Sequence, residues 1–123
     1  MSYGGEYITI PGLTAGADLS SSQYCTVKMA STAGQVIICA AATDVPVGVL
    51  QNKPTSGQAA EVATLGVVKA KLGASVALTK PLLYPNTTGY LQGTTVPSKS
   101  TIGTAFEISS ATAGEIHPII LGR

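Results

Sequence analysis

Nowhere does the chain sustain apolar residues at spacings of three and four over a dozen positions, and the charged residues that coat an exposed helix face are missing. What recurs instead are short runs rich in Val, Ile, Thr, Tyr and Leu, each bounded by Gly, Pro, Ser, Thr or Asn. That is the pattern of an all-β domain. The runs are Tyr7–Ile10, Tyr24–Ala30, Gln35–Ala40, Val47–Gln51, Ala60–Leu65, Val67–Lys71, Leu82–Tyr84, Tyr90–Gln92, Ile102–Ile108 and Ile116–Leu121. The expected fold is a compact barrel or sandwich.

These runs fall into two similar halves, about residues 13–66 and 72–122, within a single β domain at 13–123. In the first, Gly16-Ala17-Asp18-Leu19 leads to a hairpin, then Gly48-Val49-Leu50, a turn through Ser56-Gly57, a return strand and Leu65-Gly66. In the second, Gly73-Ala74-Ser75-Val76 leads to a hairpin around Asn86–Gly89, then Ile102-Gly103-Thr104, a turn through Thr112-Ala113-Gly114, and Leu121-Gly122. A glycine inside a strand marks a bulge, a bend or a close backbone approach. Gly48 and Gly103 occupy matched places, which implies duplicated geometry. Two copies are too few for a solenoid.

Residues 1–12 precede the first half and read as an extended N-terminal arm. The alternation Glu6, Tyr7, Ile8, Thr9, Ile10 suits a strand that pairs with a sheet edge, on its own chain or a neighbour's. A simple first strand of the domain is the other reading. Large apolar and aromatic side chains dominate interface energies, so Tyr3, Tyr7, Ile8 and Ile10 are candidate interface residues. Lys69 and Lys71 project from one face of a strand and add a small contact patch or a solvated edge.

Only 11% of the residues are charged, against roughly 25% in an average soluble domain. The formal net charge is +1, with Lys and Arg dispersed. No concentration of positive charge is present to bind nucleic acid. The longest apolar run, Val36–Ala42, is far too short to span a bilayer, and the start Met1–Glu6 lacks the pattern of a secretory signal. A product made in a cytoplasm, without a membrane partner, is expected. Cys25 and Cys39 flank a turn. A disulfide between them is conceivable; two reduced thiols acting as small hydrophobes is the other reading.

Motifs for chemistry are absent. His117 is the single histidine, and no nucleophile stands in a recognisable elbow or family signature. One His, two hairpin cysteines and the scattered carboxylates Glu6, Asp18, Asp44, Glu61, Glu107 and Glu115 do not make a typical metal site. No glycine-rich phosphate loop precedes a helix. Neither enzymatic activity nor a cofactor is expected.

Leu13-Thr14-Ala15-Gly16-Ala17-Asp18-Leu19, Gln23-Tyr24, Val47-Gly48-Val49-Leu50-Gln51-Asn52-Lys53-Pro54 and Gly57-Gln58-Ala59-Ala60-Glu61-Val62 together resemble a family of decoration (cement) proteins of tailed-bacteriophage capsids. The ending Ile102-Gly103-Thr104-Ala105, Ala113-Gly114-Glu115 and Ile119-Ile120-Leu121-Gly122 is similar to the family's closing pattern, so the resemblance runs from about Leu13 to the C-terminus. Pro81–Gly89 departs from it, where a more acidic turn is expected. The resemblance implies a β domain on the virion capsid exterior, made in the host cytoplasm. It further implies assembly as a homotrimer and stabilisation of the shell through bridging contacts with the major capsid protein. A receptor- or carbohydrate-binding β module of a tail fibre or spike is the alternative.

Overall fold

The computed structural model describes residues 6–73, 76, 80–95, 101–106 and 113–122. Among the described residues ten strands run β1 (Glu6–Thr9), β2 (Thr14–Ala15), β3 (Thr26–Met29), β4 (Gln35–Ile38), β5 (Gly48–Leu50), β6 (Val62–Leu72), β7 (Leu82–Pro85), β8 (Leu91–Thr94), β9 (Gly103–Ala105) and β10 (Glu115–Leu121). Each expected run contains strand residues, and Glu107 and Ile108 at the end of the run Ile102–Ile108 lie outside the described residues. Ala60–Leu65 and Val67–Lys71 are one continuous strand, β6, which passes through Gly66 at φ +112°. The two-residue β2 is too short to carry a sequence signal.

The halves share one pairing scheme. In the first, β3 and β4 form a hairpin, β5 pairs with β3, β6 pairs with β5, and β2 runs parallel to β4. A bridge between Thr14 and Ala59 closes the ring. In the second, β7 and β8 form the hairpin, β9 pairs with β7, and β10 pairs with β9. Leu72 of β6 lies parallel to Leu91 of β8, as Ala15 does to Val36. β10 then pairs with β6 from Glu115↔Leu72 to Leu121↔Gly66, closing a five-stranded barrel.

Hydrogen bonds outside the ladders match as well. The N–H of Gly57 donates to Ala15 O and that of Gly114 to Leu72 O, both at 2.8 Å. Val47 N–H donates to Val27 O and Ile102 N–H to Leu83 O, both at 2.9 Å. Gly48 stands opposite Val27 on β3, and Gly103 opposite Leu83 on β7. The reason for glycine at both places is steric. A Cβ on Gly48 would lie 2.3 Å from Ala63 O, and one on Gly103 2.5 Å from Ile120 O.

Each half holds its own core. Leu19, Val27, Val36, Leu50 and Val62 pack in the first, and Leu72, Val76, Leu83, Leu91, Ile119 and Leu121 in the second. The β5–β6 ladder is the wall between them. Its alternation sends Leu50 and Val62 into the first core and Val49 and Ala63 into the second.

From Glu6 onward, the segment expected as an arm is a strand of its own chain's sheet. β1 pairs antiparallel with β6, Ile8 opposite Leu65 and Tyr7 opposite Gly66. Tyr7 packs against the second core and Ile10 against the first. Of the two pairings open to this segment, the structure contains the one within the chain. Cys25 and Cys39 are both buried and free.

Placing a methyl group at either matched glycine forces backbone apart. Gly48→Ala and Gly103→Ala should each lower stability by about 2–3 kcal/mol, read from denaturant midpoints at unchanged slope. An unshifted midpoint at either position would contradict the close approach described there.

Candidate protein-interaction face

β6 changes its inward set midway. The pairing with β1 steps from Ile8↔Leu65 to Thr9↔Ala63, so Thr64 is an extra residue in β6. One inserted residue reverses which side chains face inward. Ala63 is in the second core before the bulge, and Val68, Ala70 and Leu72 are in it after. Leu65, Val67, Lys69 and Lys71 turn outward.

Directly opposed residues of an antiparallel pair share a face. The outer face of β1, β6 and β10 therefore carries Ile8 beside Leu65, Val67 beside Ile120, Lys69 beside Pro118 and Lys71 beside Ile116. Leu65 also lies over Gly122, where a Cβ would meet its Cδ1. Of the large apolar residues exposed among those described, Ile8 (59%), Leu65 (49%), Ile116 (45%) and Ile120 (41%) belong to this face. Met29, Val45 and Phe106 lie elsewhere. A contiguous exposed apolar strip on a sheet is a signal for an interaction surface.

The candidate residues read from sequence have different fates. Ile8, Lys69 and Lys71 come together on this face. Lys69 is exposed, while Lys71 is half-buried with its Nζ 5.9 Å from the centre of the Tyr90 ring, within range of a cation–π contact. Tyr7 and Ile10 are half-buried and committed to the cores, and Tyr3 lies outside the described residues. Leu65, Ile116 and Ile120 were not singled out by sequence. Their membership depends on register, which no local pattern reveals.

Polar groups largely serve turns and ties. Asp44 accepts the N–H groups of Ala40 and Ala41 and pairs with Lys28 at 3.1 Å. The Ala40 N–H, followed by Lys28, holds the Asp44 carboxyl below its ordinary range. His117, read from sequence as a lone histidine, stands with its Nε2 3.2 Å from Oε1 of Glu115. This pair, two residues apart along β10, escaped the sequence reading. Burial pushes the Cys25 thiol up and the Cys39 thiol to about 11. Both thiols are thus held protonated, the opposite of an activated nucleophile. Among the described residues, no three His, Cys, Asp or Glu side chains gather as metal ligands.

The Tyr7 hydroxyl donates to Glu61 Oε2. That bond, assisted by burial, pushes the Tyr7 phenol up to about 12. A raised phenol value means the folded state holds the proton more tightly than the unfolded chain. The stabilisation is complete below the ordinary value near 10 and is lost as pH rises through about 12. The stability difference between wild type and Tyr7→Phe should therefore shrink as pH climbs through that window. A difference that stays constant in denaturation curves across it would contradict the bond.

No protein-family model matches the chain, and no curated protein matches it in sequence.

Proposed function

We propose that this chain is a structural virion protein that decorates the outside of a tailed-phage capsid and braces neighbouring major capsid subunits, acting as a homotrimer. The observation that carries the reading is the apolar outer face of β1, β6 and β10, presented by a charge-poor protein whose Gly48–Pro54 and neighbouring stretches resemble such proteins. Burying one such large aliphatic side chain stabilises an association by about 1.5–3 kcal/mol. A few of them suffice for useful affinity when several sites engage at once.

The mechanism is linkage. A module that binds the assembled lattice, and not free subunits, stabilises the lattice by mass action. Packed DNA pushes outward on the shell, and subunits bridged by the module can separate only after its contacts are lost. A surface with few charges suits this role, since an unpaired charge buried at an interface costs several kcal/mol.

The tail-fibre alternative calls for exposed tyrosines and acids to meet a sugar. The described tyrosines, Tyr7, Tyr24, Tyr84 and Tyr90, are all half-buried, while the acids Asp18, Glu61 and Glu115 are exposed, so the structure meets only half of that requirement.

Co-sedimentation with undecorated expanded capsids tests it. Wild-type protein should bind at micromolar concentration, and Ile8→Ser with Ile120→Ser should weaken binding about tenfold or more while the thermal midpoint changes little. Absence of wild-type binding would sink the reading. A sedimentation-equilibrium mass of one chain would remove the trimer from it.

A further inference from the structure

Where β1 ends, its apolar edge runs into a groove. Thr9, Ile10, Pro11 and Leu13 form one side, and Asn52 and Glu61 belong to the other, around a volume of about 440 Å³. Ile8, the most exposed large hydrophobic residue described, immediately precedes Thr9. The groove therefore lies at the end of the strand that carries Ile8.

Glu61 supplies the groove's charge, with its backbone tied to Asn52 and Gln51 and its carboxylate bonded to Tyr7. Its N–H donates to Asn52 Oδ1 at 3.0 Å, the Asn52 amide donates in turn to Ala59 O at 3.0 Å, and Gln51 N–H donates to Glu61 O at 2.8 Å. The carboxylate receives the Tyr7 hydroxyl on Oε2. A carboxylate accepts about four hydrogen bonds, so acceptor capacity remains after this one. Orienting the group in advance removes part of the ordering cost of binding.

We infer that this groove receives an arginine or lysine side chain from an extended segment of the partner, the aliphatic stem lying on Ile10, Pro11 and Leu13 and the cationic head on Glu61. Complementarity selects this occupant. A groove that offers the apolar side chains of Ile10, Pro11 and Leu13 together with the Glu61 carboxylate matches a side chain that is apolar along its stem and positive at its tip. An apolar peptide would desolvate the carboxylate and leave it with the Tyr7 hydroxyl but no counter-charge. The identification of the partner as a capsid subunit rests on the decoration reading, whereas the chemistry of the groove does not.

The experiment separates the two. Nα-acetyl-arginine methylamide is titrated into isotope-labelled full-length protein, with the norleucine analogue as uncharged control, and amide resonances are followed by NMR. The arginine probe should shift Thr9, Leu13, Asn52 and Glu61 saturably and bind about two- to fivefold more tightly than norleucine. Glu61→Gln, which keeps the backbone bonds to Asn52 and Gln51, should reduce arginine to the norleucine level. Equal response to both probes, no response to either, or full arginine affinity in Glu61→Gln would overturn the inference. On capsids, Glu61→Gln should weaken retention by a similar factor and flatten its salt dependence. Wild-type protein that ignores capsids would end the decoration reading, and the arginine titration would still decide the groove.

Discussion

An eleven-residue strand, β6, has to serve as a wall of two cores, and most of the architecture follows from that demand. Its first residues pair with β5, and Gly66–Leu72 pair with β10. A strand with simple alternation would keep one set of side chains inward throughout. Ordinary alternation gives Val62 to the first core and Ala63 to the second; the extra residue at Thr64 then shifts the parity, so that Val68, Ala70 and Leu72 reach the second core in place of Leu65, Val67 and Lys69. The same shift turns Leu65 and Val67 outward. The exposed apolar face is thus a consequence of how the two halves share a strand.

Further ties hold the halves together. Thr26 donates from both N–H and Oγ1 to Gly89 O at 2.9 Å, joining the first half to the hairpin turn of the second. Lys71 N–H donates to Tyr24 O at 2.8 Å, and Tyr24 takes a left-handed backbone at φ 68°, costly for a residue with a Cβ. Surrounding structure sustains that cost: Tyr24 N–H also donates to Leu50 O, and its carbonyl meets β6.

Much of this was legible in the sequence because β-rich runs and glycines are local signals. The matched glycines proved informative, since Gly48 and Gly103 are needed where backbone meets backbone at Ala63 O and Ile120 O. The continuous β6 was read as two strands because Gly66 looks like a break. Local sequence cannot tell a turn glycine from one that a strand passes through. Nor could it show how the first half is tied at its edge, because β2 is two residues long and meets Ala59 through an isolated bridge. The Tyr7–Glu61 bond joins residues 54 positions apart. No spacing rule reaches that far.

The arrangement bears on how such a face would bind. A surface carried on a mobile arm must lose chain entropy on docking, at about 1–2 kcal/mol per residue ordered. Here Ile8 is held in register by β6, and Leu65, Ile116 and Ile120 stand on strands that close a barrel. Their ordering is already complete in the folded chain, so burial contributes to affinity with little offset. The lysines work in the same direction. Lys71 is drawn over Tyr90, and Lys69 lies beside Pro118 in the part of β6 beyond its pairing with β1. The strip from Ile8 through Leu65 and Val67 to Ile120 then has Lys69 at its border and no lysine within it. A rigid apolar strip of modest size gives a contact of moderate strength, and such contacts become durable when several copies engage together.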